Sequence, residues 1–269
     1  MCVILRVRLA SGGKQDMRMS RTRRVTTRAR GSAGRVYSEN TVVEVEYATE
    51  EQRIGEYNRM MQERMGWDTL DPFSYHPERG LYYHYITTDL VVGSQPQTPD
   101  DIKYLSEEED VAVILSLQQE KDLEYWGVNG ADLLEAADTH GVKYIKVGAV
   151  DFDPHSLRGI LPKAVAALER ARQEHGKAYV HCTAGLGRAP AVAIASLFWN
   201  TDMNLDEAYE YLTRIRPCGP NADAIRGATF DILDHRAWDE FQHLPQDAFR
   251  YLSEFDRQVI RQRIFEHFN

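Results

Sequence analysis

Residues 177–190 read KAYVHCTAGLGRAP. A short apolar run gives way to a polar, glycine-containing turn, and the turn runs into AVAIASLFW. The run AYVH predicts a buried strand and the stretch from Ala189 to Trp199 predicts a helix. A loop between strand and helix can aim successive backbone N–H groups at one point, with the positive end of the helix dipole behind them, and so form a nest for a phosphate dianion. Gly185 and Gly187 permit the tight path this requires. Cys182 opens a polar turn rather than an apolar cluster, and the field that binds phosphate also favours its thiolate. Arg188 can place two donors on two phosphoryl oxygens, which lysine cannot imitate. Cys182, Thr183, Ala184, Gly185, Leu186, Gly187 and Arg188 are therefore expected to hold phosphate, with Cys182 as nucleophile.

Thiolate attack gives a cysteinyl-phosphate and splits one difficult hydrolysis into two displacements. The leaving alkoxide needs a general acid. DFDP, residues 151–154, follows the apolar run VKYIKV, and the helix after it returns the chain to the same sheet edge. Asp151 is the first candidate and Asp153 the second, although Asp153 is equally well placed to cap the helix that begins near Pro154. His181 is expected to orient the loop. This chemistry calls for no metal and no cofactor.

Outward from the loop, LYYHYI, DLVVG, VAVILSL and VKYIKV are further short apolar runs. Helical patterns cover about Pro99–Ser106, Gly130–His140, Ser156–His175, Leu205–Arg214 and Ala222–Asp234. Strands alternating with helices predict an α/β fold with a central, largely parallel sheet flanked by helices, and sites form at the carboxyl ends of such strands. From about Thr49 to Arg64 the pattern EEQRIGEYNRMMQERM predicts a surface helix with Ile54, Tyr57, Met61 and Met65 on one face, and DPFSYHPERG an irregular loop. At the other end, AFRYLSEFDRQVIRQRIF predicts a C-terminal helical extension presenting Phe249, Leu252, Phe255, Val259 and Ile260.

With 269 residues and 43% hydrophobic content, the chain can bury a full core. No apolar run approaches the roughly 18 to 20 residues of a membrane span. Three cysteines, Cys2, Cys182 and Cys218, make neither a disulfide framework nor a zinc site, and fit a reducing compartment. Residues 1–38 hold nine arginines and Lys14 against Asp16, leaving 22 basic and 40 acidic residues in the rest. That acidic body argues against nucleic acid and anionic membrane as partners. The Arg-, Ser- and Thr-rich, acid-poor start describes an organelle transit peptide, with a disordered basic tail as the alternative. The expected organisation is a transit segment over 1–40, a catalytic domain over 50–216, and a C-terminal motif over 217–269 packed on it, in a monomer.

HCTAGLGR resembles the His-Cys-five residues-Arg signature of cysteine-dependent protein tyrosine phosphatases, and DFD in place of a Trp-Pro-Asp loop resembles their dual-specificity branch. The loop contains no lysine, which argues against phosphoinositide phosphatases. Together with GSQPQTPDDI, LQQEKDLEYWGV, DFDP and RPCGPNADAIRGAT, it is similar to the plant and algal glucan phosphatases of the starch-excess group over about Tyr57 to Arg263. The resemblance implies a dual-specificity phosphatase fold acting on phosphorylated starch or amylopectin, with preference for phosphate at the glucose 3-position. It implies the chloroplast or another plastid, with the cytoplasm as alternative. It further implies glucan-binding roles for Phe73 and Tyr75 in a recognition loop, Tyr125 and Trp126 in a variable loop, and Phe152 beside the acid, since flat rings lie against the apolar faces of pyranose sugars. For secondary surface glucan sites Lys143 and Phe249 are compatible residues, while Val147 and Arg170 do not supply the same chemistry. Ser116 stands where relatives carry a redox partner for the catalytic cysteine, which leaves Cys218 as a substitute, although a simply packed role is the one expected of it. The alternative substrate is a protein carrying phosphoserine, phosphothreonine or phosphotyrosine. A catalytically silent glucan-binding scaffold is opposed by the joint presence of Cys182, Arg188 and Asp151.

Overall fold

The computed structural model describes residues 49–65, 74–234 and 247–267; the basic segment 1–40 and Phe73 lie outside them. The chain divides into two compact units, Met1–Tyr57 and Asn58–Asn269. The described part of the first is the opening of helix α1, Glu50–Met65. The second contains a five-stranded sheet of β1 (Tyr83–Tyr85), β2 (Leu90–Gly93), β3 (Val113–Ser116), β4 (Lys143–Lys146) and β5 (Ala178–His181), in the order β1-β2-β5-β3-β4. β1 lies antiparallel at one edge and the other pairings are parallel, as the alternating strand and helix pattern predicts.

Val91, Ile114 and Tyr179 point into a cluster with Ile102 and Leu105 of α2 (Pro99–Glu107) and Leu133 of α4 (Gly130–Thr139). The alternate strand residues Leu90, Val92, Val113, Leu115 and Val180 are equally buried, so the other face is covered too, by α5 (Pro154–His175) and α6 (Arg188–Asn200). Burial on both faces is why these strands read as continuous apolar runs. From Arg188 to Trp199 every residue of α6 is buried, which explains a helix with no polar stripe. The register aligns Gly93, His181, Ser116 and Lys146 in one row. Four parallel strands therefore end level, and their loops leave from one edge.

α7 (Leu205–Ile215) packs on α6, while α8 (Ala222–Asp234) and the C-terminal helix α9 (Glu254–His267) pack on α5 and α6. Buried Arg158 of α5 donates to Asp231 of α8, Nε to Oδ2 at 2.6 Å. The C-terminal extension is shorter than the apolar spacing predicts. Phe249 adopts φ 59°, outside the helical region, and Ser253 starts the helix through reciprocal bonds with Asp256, at 3.0 and 3.1 Å. This capping box sets the helix so that Arg257, Ile260 and Ile264 face inward and Phe255 is 73% exposed. Arg257 donates to Phe198 O and, at 2.9 Å, to Met203 O; Arg263 Nη1 donates to Leu233 O at 2.6 Å. The tail thus supplies donors to late carbonyls of α6 and α8 that have no partner within their own helices.

One short helix stands where a variable loop holding Tyr125 and Trp126 is expected. α3 (Glu120–Trp126) has a capping box between Gln119 and Asp122 and ends at Gly127 in the left-handed region.

Candidate active site

The loop after β5 is held from outside by its carbonyls. Thr183 O accepts from Gln95 N at 2.9 Å and Leu186 O from Gly219 N at 3.0 Å. Between them Ala184 O accepts from Arg216 Nη2 at 2.9 Å and Gly185 O from Arg216 Nε at 2.7 Å. In a trans peptide the N–H points away from the C=O, so the amides of residues 184–187 face the inside of the turn. Gly185 adopts φ +68°, and a Cβ there would overlap the carbonyl of Gly93. Gly187 takes no left-handed conformation; it sits at the N-cap of α6. Cys182, at the mouth of this turn, is 3% exposed and reduced.

Arg188 occupies the first turn of α6 and its side chain is 3% exposed. Nη1 donates to Asp122 Oδ2 at 2.6 Å, Ala149 O at 3.0 Å and Leu117 O at 3.3 Å. Nη2 reaches Asp151 Oδ2 at 2.9 Å and Thr183 Oγ1 at 3.2 Å. The loops after β3, β4 and β5 therefore meet on one guanidinium. Asp153 faces the helix instead and caps α5, accepting from His155 N at 2.9 Å and Ser156 N at 3.1 Å. Between the two carboxylates Phe152 is left-handed at φ 58°, a conformation that costs a non-glycine residue of order 1–3 kcal/mol and tends to persist at functional sites.

His181 is fully buried and its pKa is pushed down to about 4, chiefly by burial. Nδ1 lies 3.1 Å from Cys182 O and Nε2 lies 3.3 Å from Tyr144 OH. A carbonyl only accepts, so Nδ1 carries the proton and Nε2 accepts from the tyrosine. The ring is neutral at physiological pH and holds the backbone at Cys182. The unfolded chain protonates this ring below about pH 6.5 and the folded chain only below about 4, so stability is complete above 6.5 and falls as pH drops through that window. The loss expected from His181 alone is about 3 kcal/mol. Urea unfolding at several pH values should show His181→Asn, which can still donate to the carbonyl, losing less across the window than the parent; equal losses would refute it. Cys218 is free and buried, its thiol pushed up to about 12 by burial, which makes it unreactive. Ser116 lies directly beside His181 in the sheet.

Three of the described aromatic candidates, Tyr75, Tyr125 and Trp126, form one group. Trp126 meets Tyr75 edge-on at 4.9 Å and Tyr125 at 5.1 Å. Tyr125, Trp126 and Phe152 are half-buried, whereas Tyr75 is 4% exposed and stands behind Trp126. Asn58 on α1 fixes Tyr75 through both backbone groups, at 2.7 and 3.0 Å. Gln95 Nε2 donates to Tyr75 OH at 2.9 Å, Gln118 Nε2 to Gln95 Oε1 at 2.7 Å and to Thr183 Oγ1 at 3.2 Å. A buried polar chain thus runs from the aromatic group to the phosphate loop. Asp122, Gln95, Gln118 and Arg216 were not legible as site residues. The one local signal was the Gln119/Asp122 capping spacing, which marks a helix start and says nothing of Arg188. Among the described residues no group of three or more His, Cys, Asp or Glu is placed to hold a metal ion, and no helix is long and apolar enough to cross a membrane.

A thiol at the mouth of an amide nest, answered by an arginine from the first turn of the next helix, is the architecture of the cysteine-dependent phosphatase domains. The sequence profile described as "Dual specificity phosphatase, catalytic domain" matches residues 93–227. The chain belongs to that family. It is 42% identical over 186 residues to "Phosphoglucan phosphatase DSP4, amyloplastic" of Castanea sativa, covering 68% of this chain and 48% of the relative. It is 31% identical over 198 residues to "Phosphoglucan phosphatase LSF1, chloroplastic" of Arabidopsis thaliana, covering 74% and 32%. Laforin of Mus musculus is 25% identical over 155 residues, covering 54% and 47%. The chain spans half or less of the length of each of these relatives.

Proposed function

We propose that the chain is a phosphoglucan phosphatase, hydrolysing phosphate monoesters of starch-type glucan through a cysteinyl-phosphate. The observation that carries this is helix α3. Its Asp122 grips the arginine of the phosphate loop, and its last two residues, Tyr125 and Trp126, form the aromatic group with Tyr75. One rigid element so links a sugar-stacking surface to the phosphate cradle. The names of two plant relatives, both phosphoglucan phosphatases, support the same substrate class.

In the proposed reaction Cys182 Sγ attacks phosphorus while the bond to the sugar oxygen breaks. Incoming phosphate takes the place of Asp151 at Arg188 Nη2; the released carboxylate takes up a proton from water and passes it to the departing oxygen. Water then attacks the cysteinyl-phosphate, Asp151 takes its proton, and the thiolate leaves with inorganic phosphate as product. Arg188 and the inward amides hold the equatorial oxygens in both steps. The basic composition of residues 1–38 and the plastidial names of the plant relatives support a plastid location for this protein, testable by import of a fluorescent fusion into isolated chloroplasts.

Phosphate release is to be compared on amylopectin labelled at glucose carbon 3 or carbon 6 and on phosphopeptides, with p-nitrophenyl phosphate as a generic control. Amylopectin labelled at carbon 3 should be preferred. Trp126→Ala should cut release from amylopectin by about tenfold, the factor given by ~1.4 kcal/mol of lost ring contact, and leave the control unchanged. Preference for phosphopeptides, or equal losses on both substrates, would overturn the glucan reading.

The two aspartates separate in the same assay. Asp151→Asn should lower turnover of glucan phosphate by about 10²–10³-fold, and less with p-nitrophenyl phosphate, whose leaving group needs no proton. Asp153→Ala should cost about 1 kcal/mol of stability through its lost helix cap, seen as a lower Tm, with turnover retained. The opposite pattern would transfer the acid to Asp153.

A further inference from the structure

Arg216 is 0% exposed and, among the described residues, forms no salt bridge. A buried cation without a carboxylate is costly unless its donors are fully used. Here every nitrogen is engaged: Nε by Gly185 O at 2.7 Å, Nη2 by Ala184 O at 2.9 Å, and Nη1 by Tyr82 O at 3.3 Å and His84 Nδ1 at 3.2 Å. The Tyr82 ring covers the guanidinium at 4.8 Å. Two of these acceptors are consecutive carbonyls of the phosphate loop. A carbonyl held outward fixes the N–H of the same peptide inward, so this one side chain sets the direction of the Gly185 and Leu186 amides.

We propose that Arg216 is a positioning residue of the phosphate loop, which keeps two amides aimed at the bound phosphate without touching it. The proposal rests on the reading of the loop as a phosphate cradle and is indifferent to whether the ester belongs to a glucan. The planar fork is essential: Nε and Nη2 diverge at the spacing of two successive carbonyls, whereas a lysine ammonium is a single point of donation. Lysine keeps the charge, so Arg216→Lys separates geometry from charge. Loss of one aimed donor should weaken the pentavalent state most, because the loop then reorganises as charge develops.

The test uses the full chain and its Arg216→Lys variant. Measured for each are the cooperative thermal transition, kcat and KM on p-nitrophenyl phosphate, and inhibition by inorganic phosphate and by vanadate. Alkylation of Cys182 by anionic iodoacetate is compared with alkylation by neutral iodoacetamide. The expected result is a folded variant whose vanadate inhibition constant rises about tenfold or more, a part of the about 10²–10³-fold effect of deleting one donor outright. Its kcat should fall more than its KM rises, and its iodoacetate to iodoacetamide ratio should drop. A purely structural role would leave that ratio unmoved. Unchanged vanadate inhibition in a folded variant overturns the proposal, and so does loss of the cooperative transition in Arg216→Lys, which would give the residue to the fold at large. A parent that neither hydrolyses p-nitrophenyl phosphate nor binds vanadate would instead refute the phosphatase reading itself.

Discussion

Cys182→Ser is expected to abolish phosphate release from amylopectin and from p-nitrophenyl phosphate alike, by a factor on the order of 10⁴ or more, the scale seen when a covalent nucleophile is removed. Serine keeps the shape of the side chain, so the pocket at the mouth of the loop is not perturbed and Tm should stay near that of the parent. His181 is not placed to activate the hydroxyl: it is turned with its proton toward the Cys182 carbonyl, and its other nitrogen faces Tyr144. Glucan binding should survive, because the aromatic group is built on α3 and Tyr75 and owes nothing to the sulfur. Sedimentation with amylopectin and a phosphate-release assay on the same preparation read both halves. Release persisting at a tenth of the parent rate or above would mean that the ester is cleaved without a cysteinyl-phosphate. Acid-quenched Asp151→Asn should conversely carry the mass of one phosphoryl group on the peptide containing Cys182.

Arg188→Lys is expected to be nearly as damaging, lowering kcat/KM by about 10³-fold although the formal charge is retained. The guanidinium bridges Asp122, Asp151, two backbone carbonyls and Thr183 at once. An ammonium cannot span that set, and each partner it leaves loses a charge-assisted donor in a largely buried setting, at a cost of about 1–3 kcal/mol. Steady-state kinetics with calorimetry on the same variant would show both effects. Activity within about tenfold of the parent would mean that the fork is not needed for phosphate. Since Asp122 sits on α3, the variant should also weaken amylopectin binding, an effect that p-nitrophenyl phosphate cannot report.

The strand, turn and helix around Cys182 were readable because the information is local: an apolar run, glycine at a left-handed position, and a helix with no polar side. Asp153 was readable as far as its two alternatives, since a helix cap is also local, and the bond to two amides of α5 shows where its side chain is spent. Asp122 and Arg216 were hidden for the opposite reason. The first meets its partner across 66 positions and the second holds a carbonyl 31 positions away, and neither spacing has a periodic signature. The C-terminal helix shows the weakness of apolar spacing alone. Phe249 and Phe255 fit a stripe in the sequence, yet Ser253 fixes the helix start and so its phase, leaving Phe255 in solvent.

Arg257 gives α6 a meaning beyond that of a scaffold. The amino end of this helix faces the phosphate cradle, and its far carbonyl at Phe198 is answered by a cation from α9. Cutting the protein back to the segment shared with its family, residues 93–227, would strip that cation away together with Ile260 and Ile264 and uncover the surface of α5 and α6 on which α9 packs. The minimal active unit therefore reaches at least to Ile264, and a shorter fragment should fail as an unstable protein before it fails as a catalyst.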